Sequence, residues 1–338
     1  MKALVTGATG MLGSHVVERL LAEGTEVRAL VREPSRATWL ARQDVELARG
    51  DLMDPMSLRA SARGCDEVYH AAAVIGAGDG WETFRRGNVD GTRALVEAAG
   101  EAGARMVHVS STAVFGRHRF FPHPTDETVP LPELPEEDAY GRSKQEAERV
   151  VLEAHARGTI HAVVVRPPVM YGLRDRQFIP RLASVLSRGV LPLPAAGRAR
   201  MTLVHGDAVA RGMILAARSP GAGGRVYHLT DDFPVTVREM AEWAAEGLGT
   251  PVRLIPVPGP VARVGFGLLQ GGLVLAGRGE LARHAPGMLS MLTRDNPFSS
   301  ARARAELGWA PQLHPRDGLP EAVAEWRARP GRARQGDA

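Results

Sequence analysis

Lysine is almost absent from this chain: of 42 basic residues only Lys2 and Lys144 are lysines, so arginine carries positive charge nearly everywhere and Lys144 departs from that habit. Cysteine is reduced to Cys65, which excludes an internal disulfide and suits a cytoplasmic protein. Aromatics make up 5% of the 338 residues and tyrosines number four. Long apolar runs are missing too. The longest uncharged one, Val264 to Gly277, is short and glycine-rich where a bilayer demands about 20 residues, so no transmembrane anchor is expected. The opening Met1-Lys2-Ala3-Leu4-Val5-Thr6-Gly7 has no charged leader before an apolar run, and no signal peptide is expected. The formal charge is +4, but the arginines are interspersed with glutamates and form neither a basic helix nor a basic-aromatic stripe, so nucleic acid is not an expected partner. No metal-ligand spacing is visible.

What is present is enough apolar material, 44%, for a sizeable core. Short β-branched runs at Lys2 to Thr6, Glu26 to Val31, Val45 to Ala48, Glu67 to His70, Arg105 to Ser110 and Ile160 to Val165 alternate with helical spacing at Leu12 to Glu23, Val89 to Ala102 and Ser143 to Ala156. Such alternation predicts an α/β fold, a doubly wound parallel sheet of the Rossmann type. Beyond Arg166, Pro and Gly break the pattern. A dinucleotide domain is therefore expected over 1–166, with 203–230 returning to it through a strand at Arg225 to Leu229. A smaller substrate-side region is expected over 167–202 and 231–327, and the Arg-Pro-Gly-rich end at 328–338 reads as a disordered tail.

Directly after the first strand stands Thr6-Gly7-Ala8-Thr9-Gly10-Met11-Leu12-Gly13. Glycines there permit a tight turn, let a pyrophosphate approach the backbone and let helix and strand pack closely, while the free amides of the helix start face the phosphates. Gly7, Thr9, Gly10, Met11, Leu12 and Gly13 are therefore candidate cofactor contacts. At the end of the second strand, where NAD binders usually carry an acid for the ribose 2′-hydroxyl, Val31 is followed by Arg32 and Glu33. Arg32 suits a 2′-phosphate, which favours NADP; the alternative is NAD, with Glu33 on the ribose. Asp51 and Leu52 fall where the adenine would lie, unless Asp51 caps a helix.

A strand ending Ser110-Ser111 and, later, Tyr140-Gly141-Arg142-Ser143-Lys144 complete the constellation. Tyr140 and Lys144 are four apart and share one face of a helix. The ammonium lowers the pKa of the phenol toward the range useful for proton transfer. Ser111 would orient a carbonyl oxygen, Tyr140 would protonate it, and Lys144 would also hold the nicotinamide ribose.

On these motifs, together with Gly50-Asp51-Leu52, His70-Ala71-Ala72-Ala73, Asn88-Val89-Asp90-Gly91-Thr92 and Arg166-Pro167-Pro168-Val169-Met170-Tyr171-Gly172, the chain resembles the extended short-chain dehydrogenase/reductases, also called the NAD-dependent epimerase/dehydratase family. The resemblance implies that Ala71, Ala72 and Ala73 line the cofactor, that Asn88 supports the active-site helix, and that Pro167 to Val169 contact the nicotinamide carboxamide. It also implies a homodimer built on two helices. Arg32, Arg166-Pro167-Pro168 and Gln177-Phe178-Ile179-Pro180 look more like dihydroflavonol reductases and 3β-hydroxysteroid dehydrogenases than nucleotide-sugar epimerases. The family's usual Gly-Pro-Gly-Asp is here Gly172-Leu173-Arg174-Asp175. The expected function is hydride transfer to a ketone or aldehyde of a largely apolar small molecule, or oxidation of the alcohol. A nucleotide-sugar epimerase or dehydratase is the alternative, and a non-catalytic dinucleotide sensor the third reading. Asp207, in Val204-His205-Gly206-Asp207, is expected to cap a helix. Ala305 to Pro311 matches the family's closing pattern and reads as structural. The apolar stretch Val261 to Leu292 suggests a cap over a hydrophobic pocket, a peripheral membrane contact or a partner helix pair, against simple packing.

Overall fold

Runs such as Lys2–Thr6 and Ala162–Arg166 are almost continuously buried, as strands covered on both faces must be. In the computed structural model, which describes residues 1–76, 80–116, 123–277 and 289–329, seven strands form one sheet. They are β1 (Lys2–Thr6), β2 (Glu26–Val31), β3 (Val45–Arg49), β4 (Glu67–His70), β5 (Arg105–Val109), β6 (Ala162–Arg166) and, late in the chain, Val226–His228. Their order is β3, β2, β1, β4, β5, β6 and then the late strand, and every neighbouring pair is parallel. The expected strand near Arg225 to Leu229 thus lies at the sheet edge, beside β6.

Parallel neighbours require crossovers, supplied by α1 (Met11–Ala22), α2 (Pro55–Ala62), α3 (Trp81–Phe84), α4 (Gly91–Glu101) and α5 (Ala139–Ala156). One core layer joins Val16, Val17 and Leu20 of α1 to Val209 and Met213 of a later helix; the other joins Leu58, Leu95, Val151 and Ile160. The order in which the chain adds strands reverses between β1 and β4, so the C-terminal ends of these parallel strands flank a crevice, the place where open α/β sheets bind ligands.

After Arg166 come β7 (Val169–Tyr171), α6 (Phe178–Leu186), β8 (Val190–Pro194), β9 (Arg200–Met201), β10 (Leu203–His205), α7 (Gly206–Arg218), β11 (Val226–His228), β12 (Val235–Thr236), α8 (Val237–Leu248), β13 (Arg253–Val257), α9 (Gly259–Leu275), α10 (Ala301–Leu307) and α11 (Pro315–Ala328). Three two-stranded sheets (β7 with β10, β9 with β12, β8 with β13) and a separate apolar core of α6, α8 and α11 occupy this half. β10 therefore pairs with β7 and not with the large sheet. Trp309, in the closing pattern, is fully buried and donates its indole hydrogen bond to the Ala208 carbonyl at 2.8 Å. Among the described residues no helix is long and apolar enough to cross a membrane and no group of side chains could hold a metal ion. The tail from 330 and the residues 278–288 of the apolar stretch lie outside the described residues.

Candidate active site

The glycine loop is built by contact. Gly7 has a φ of +71°, and a Cβ there would stand 2.7 Å from the Ala72 nitrogen and 2.8 Å from the Ala71 carbonyl carbon, both backbone atoms on the other lip of the crevice. A Cβ on Gly13 would lie 2.2 Å from the Gly7 carbonyl oxygen, so α1 can reach its place beside β1 only with glycine at that position. Gly10 is the N-cap of α1, and no side chain caps the helix, which leaves its first amides available to an anion. Thr9 is exposed and Met11 half-buried at this opening, while Leu12 faces the core. The loop therefore fits a dinucleotide pyrophosphate, with Ala71 to Ala73 opposite.

Arg32 is exposed just past the C-terminal end of β2 and makes no ion pair among the described residues. Glu33 turns instead to Arg36, 2.7 Å away. Asp51 accepts from the Met53 amide at 2.9 Å, closing a tight turn, and the helix cap is Asp54, which accepts from Met56 and Ser57. Leu52 packs against Gly91 at the start of α4.

Asn88 lies in a π-helical turn, Arg85–Asp90, immediately before α4. Its side chain accepts from the Val74 amide at 2.7 Å and donates to the Val74 carbonyl and to Ser143 Oγ at 3.1 and 3.0 Å. The extra backbone residue of a π turn re-aims this one side chain, and Asn88 thereby ties the loop after Ala73 to α5.

Helical spacing in the sequence begins at Ser143, but α5 begins at Ala139. Asp138 accepts from the Gly141 amide at 3.2 Å and starts the helix four residues earlier. Tyr140 is consequently already helical, one turn before Lys144, and its ring meets Phe84 edge-on with centroids 5.9 Å apart. Lys144 is buried and donates to the Val109 carbonyl at 2.9 Å, at the end of β5. Ser111, two residues on, caps the short turn Thr112–Phe115 by accepting from the Ala113 amide at 3.1 Å. That turn is pinned to Pro167, whose carbonyl accepts from Thr112 at 3.1 Å, and Val169 follows in β7. The segments that carry Ser111, Tyr140, Lys144 and Pro167 are thus linked through β5, α5 and β6.

Loss of water around Lys144 lowers its pKa to about 8, against the ordinary 10.5, although Glu148 pulls the other way. Glu148 is committed to Arg166 through two buried bonds of 2.9 and 2.6 Å. Beneath Lys144, burial and then the lysine charge hold His70 near pKa 3, so its imidazole stays neutral between Thr6 Oγ1 at 2.8 Å and Thr92 Oγ1 at 3.0 Å. His108, whose ring is tilted 44° to that of His70 at a centroid distance of 5.2 Å, is held low by burial first, then by Lys144 and His70. Helical and strand periodicity do not reveal this buried polar layer; the one signal for it is a histidine near the C-terminal end of each of two otherwise largely apolar strands, β4 and β5.

One expectation needs correction, and one alternative reading falls away. Asp207 does not cap α7: His205 does, its Nδ1 accepting from the Asp207 amide at 3.3 Å, while Asp207 forms an ion pair with Arg19 of α1. Asp51 is likewise not a helix cap, because Asp54 stands at the position the cap geometry requires. The unusual Gly172-Leu173-Arg174-Asp175 segment also has a structural role. Arg174, at φ +64°, reaches Ser14 Oγ and Glu18 at 2.6 Å each and stacks on Trp39. Asp175 accepts from the amides of Gln177, Phe178 and Ile179 at the start of α6.

The chain is similar to known proteins over nearly its whole length. The model of the family described as "NAD dependent epimerase/dehydratase family" matches residues 3–229. Over 94% of this chain and 95% of its own length, the 4-hydroxy-2-methyl-3-oxo-4-farnesyl-3,4-dihydroquinoline-1-oxide ketoreductase of Stigmatella aurantiaca is 35% identical. The 2-alkyl-3-oxoalkanoate reductase of Stenotrophomonas maltophilia is 30% identical over 94% of this chain and 97% of its own. Among solved structures, the dTDP-glucose 4,6-dehydratase DesIV of Streptomyces venezuelae, with NAD bound, superposes with a TM-score of 0.74 at 26% identity, covering 97% of each chain.

Proposed function

The chain belongs to the NAD-dependent epimerase/dehydratase family, and on that premise we propose that it is a reductase of a ketone or aldehyde on a largely apolar small molecule, using NADPH. The observation that carries the reading is the buried ammonium of Lys144, one helical turn from Tyr140 and fixed to the carbonyl of Val109, two residues before Ser111. The similarity to two ketoreductases over nearly the whole chain supports the direction of the reaction.

When bound, a reduced nicotinamide supplies hydride to the carbonyl carbon. The chain's own task is to hold the carbonyl and deliver one proton. Tyr140 donates its phenolic proton to the carbonyl oxygen. Ser111 Oγ already accepts from the Ala113 amide, so its own O–H is directed to that same oxygen as a second donor. Lys144 spends one of its three N–H donors on Val109 and keeps two for the nicotinamide ribose, while its charge lowers the cost of the phenolate that Tyr140 becomes. Gly7, Thr9, Gly10, Met11, Leu12 and Gly13 serve the pyrophosphate, Asp51 and Leu52 the adenine side, Ala71 to Ala73 and Asn88 the opposite lip, and Pro167 and Val169 the carboxamide. Arg32 takes the 2′-phosphate because Glu33, the competing acid, is turned to Arg36.

The test is loss of nicotinamide absorbance with NADPH or NADH against apolar ketones, aldehydes and UDP-sugars. Net NADPH oxidation by an apolar carbonyl is expected, reduced about a hundredfold or more by Tyr140→Phe, with the NADPH preference shrinking in Arg32→Ala. Full turnover in Tyr140→Phe would remove the catalytic assignment. The likeness to a sugar-nucleotide dehydratase favours a second reading, conversion of a nucleotide sugar with retained NAD. Turnover of a UDP-sugar without net redox change would establish that reading instead.

A further inference from the structure

Helix α9 (Gly259–Leu275) presents its apolar side outward. Val261, Val264, Leu268 and Leu275 are 60, 65, 72 and 91% exposed, and at 100° per residue they fall within one narrow stripe. Ala262 is buried and Phe266 and Gln270 are half-buried on the other side. A water-facing helix ordinarily has the reverse pattern. β13 directly precedes α9 in the chain, and with β8 it carries a second exposed apolar face. In their parallel register Val190 pairs with Arg253 and Pro192 with Ile255, so these four share the exposed face, while Leu193 turns into the core.

Among the described residues of β13 and α9 the charged side chains are Arg253 and Arg263, with no acid. Arg253 and Arg263 are exposed and make no ion pair among the described residues, in a chain whose other arginines repeatedly pair with Glu or Asp, as Arg28, Arg59, Arg85 and Arg218 do. An outward apolar stripe beside unpaired arginines complements one kind of surface: an apolar interior lying beneath anionic head groups.

We propose that α9 and the outer face of β8 and β13 dock on an anionic lipid surface. The helix lies in the plane of the interface, with Val264 and Leu268 entering the acyl boundary and Arg263 and Arg253 at head-group level. It does not span the bilayer.

Flotation of the full-length protein with vesicles tests this, comparing phosphatidylcholine alone with phosphatidylcholine containing phosphatidylglycerol. Binding to the anionic vesicles is expected, about tenfold weaker or more in Leu268→Glu and in Val264→Glu, and about fivefold weaker in Arg263→Glu. These side chains face solvent, so circular dichroism should be unchanged. Failure to float with either vesicle overturns the proposal, as does wild-type binding in both apolar variants. So does a dimer that Leu268→Glu dissociates in a protein that ignores vesicles, which would assign the stripe to a second copy of the chain. None of these readouts depends on the reaction proposed above.

Discussion

Lys144 joins two requirements that conflict in water. In the reaction proposed above its charge acts on Tyr140 through low dielectric, yet burial removes the hydration that keeps an ammonium protonated, and its pKa falls to about 8. Below that value the lysine is charged; as pH rises through it, the field that stabilises phenolate disappears. Reductase kcat/KM is therefore expected to decline above about pH 8, and steady-state rates across pH 6 to 10 would check this. The same shift carries a stability sign. The unfolded lysine titrates near its ordinary 10.5, so the native state binds its proton less tightly, and charged Lys144 destabilises the fold at neutral pH. Lys144→Met should therefore lose activity about a hundredfold or more while its Tm, measured by thermal denaturation at pH 7, does not fall. A parallel loss of Tm would mean that the lysine holds the fold together and not the transition state.

Among the elements, the strand-turn-helix unit of β1 and α1 depends most on a single atom. Because a Cβ on Gly13 would meet the Gly7 carbonyl at 2.2 Å, Gly13→Ala must push α1 away from β1. The expected cost is about 1–3 kcal/mol, with NADPH affinity falling more than tenfold as the loop opens. Urea denaturation and fluorescence titration separate the two effects, and unchanged affinity would show that the loop does not hold the cofactor. This unit was legible in the sequence because spacing, strand pattern and glycines all concern neighbours in the chain. The start of α5 was not: apolar periodicity begins at Ser143, whereas Asp138, a polar cap outside the periodic stretch, sets the boundary. Nor was the capping of α7, because His205 reaches Asp207 through local geometry that the helical pattern does not encode, and Asp207 is drawn to Arg19 from a distant helix.

Across the whole molecule, the two halves are joined by polar contacts that spacing cannot reveal, such as Arg174 to Glu18 and Tyr227 to Glu306. Asp231 is the most unusual of the distant-contact residues. It is fully buried just after β11, with the Tyr171 hydroxyl and the His205 backbone amide against its carboxyl. Burial first, and Asp232 second, raise its pKa to about 8 from the ordinary 3.8. Between those values the unfolded chain has lost the proton and the native one retains it, so stability falls as pH rises through that window. Asp231→Asn should flatten this fall. Its Tm is expected to change less than that of the parent between pH 5 and 8, and equal slopes would show that the carboxyl is ionised in the folded protein.

The sequence by itself determined the parallel α/β architecture, the glycine loop, the order of Ser111, Tyr140 and Lys144, and the family, because each is carried by short-range spacing and by residue chemistry confined to one element. Tertiary structure alone decided the sheet order that puts Gly7 opposite Ala71 and Ala72, the neutral His70 and His108 under Lys144, and the outward aim of the apolar stripe on α9. Those depend on which distant residues exclude water from one another, and periodicity records that a side chain is apolar without recording what, if anything, covers it.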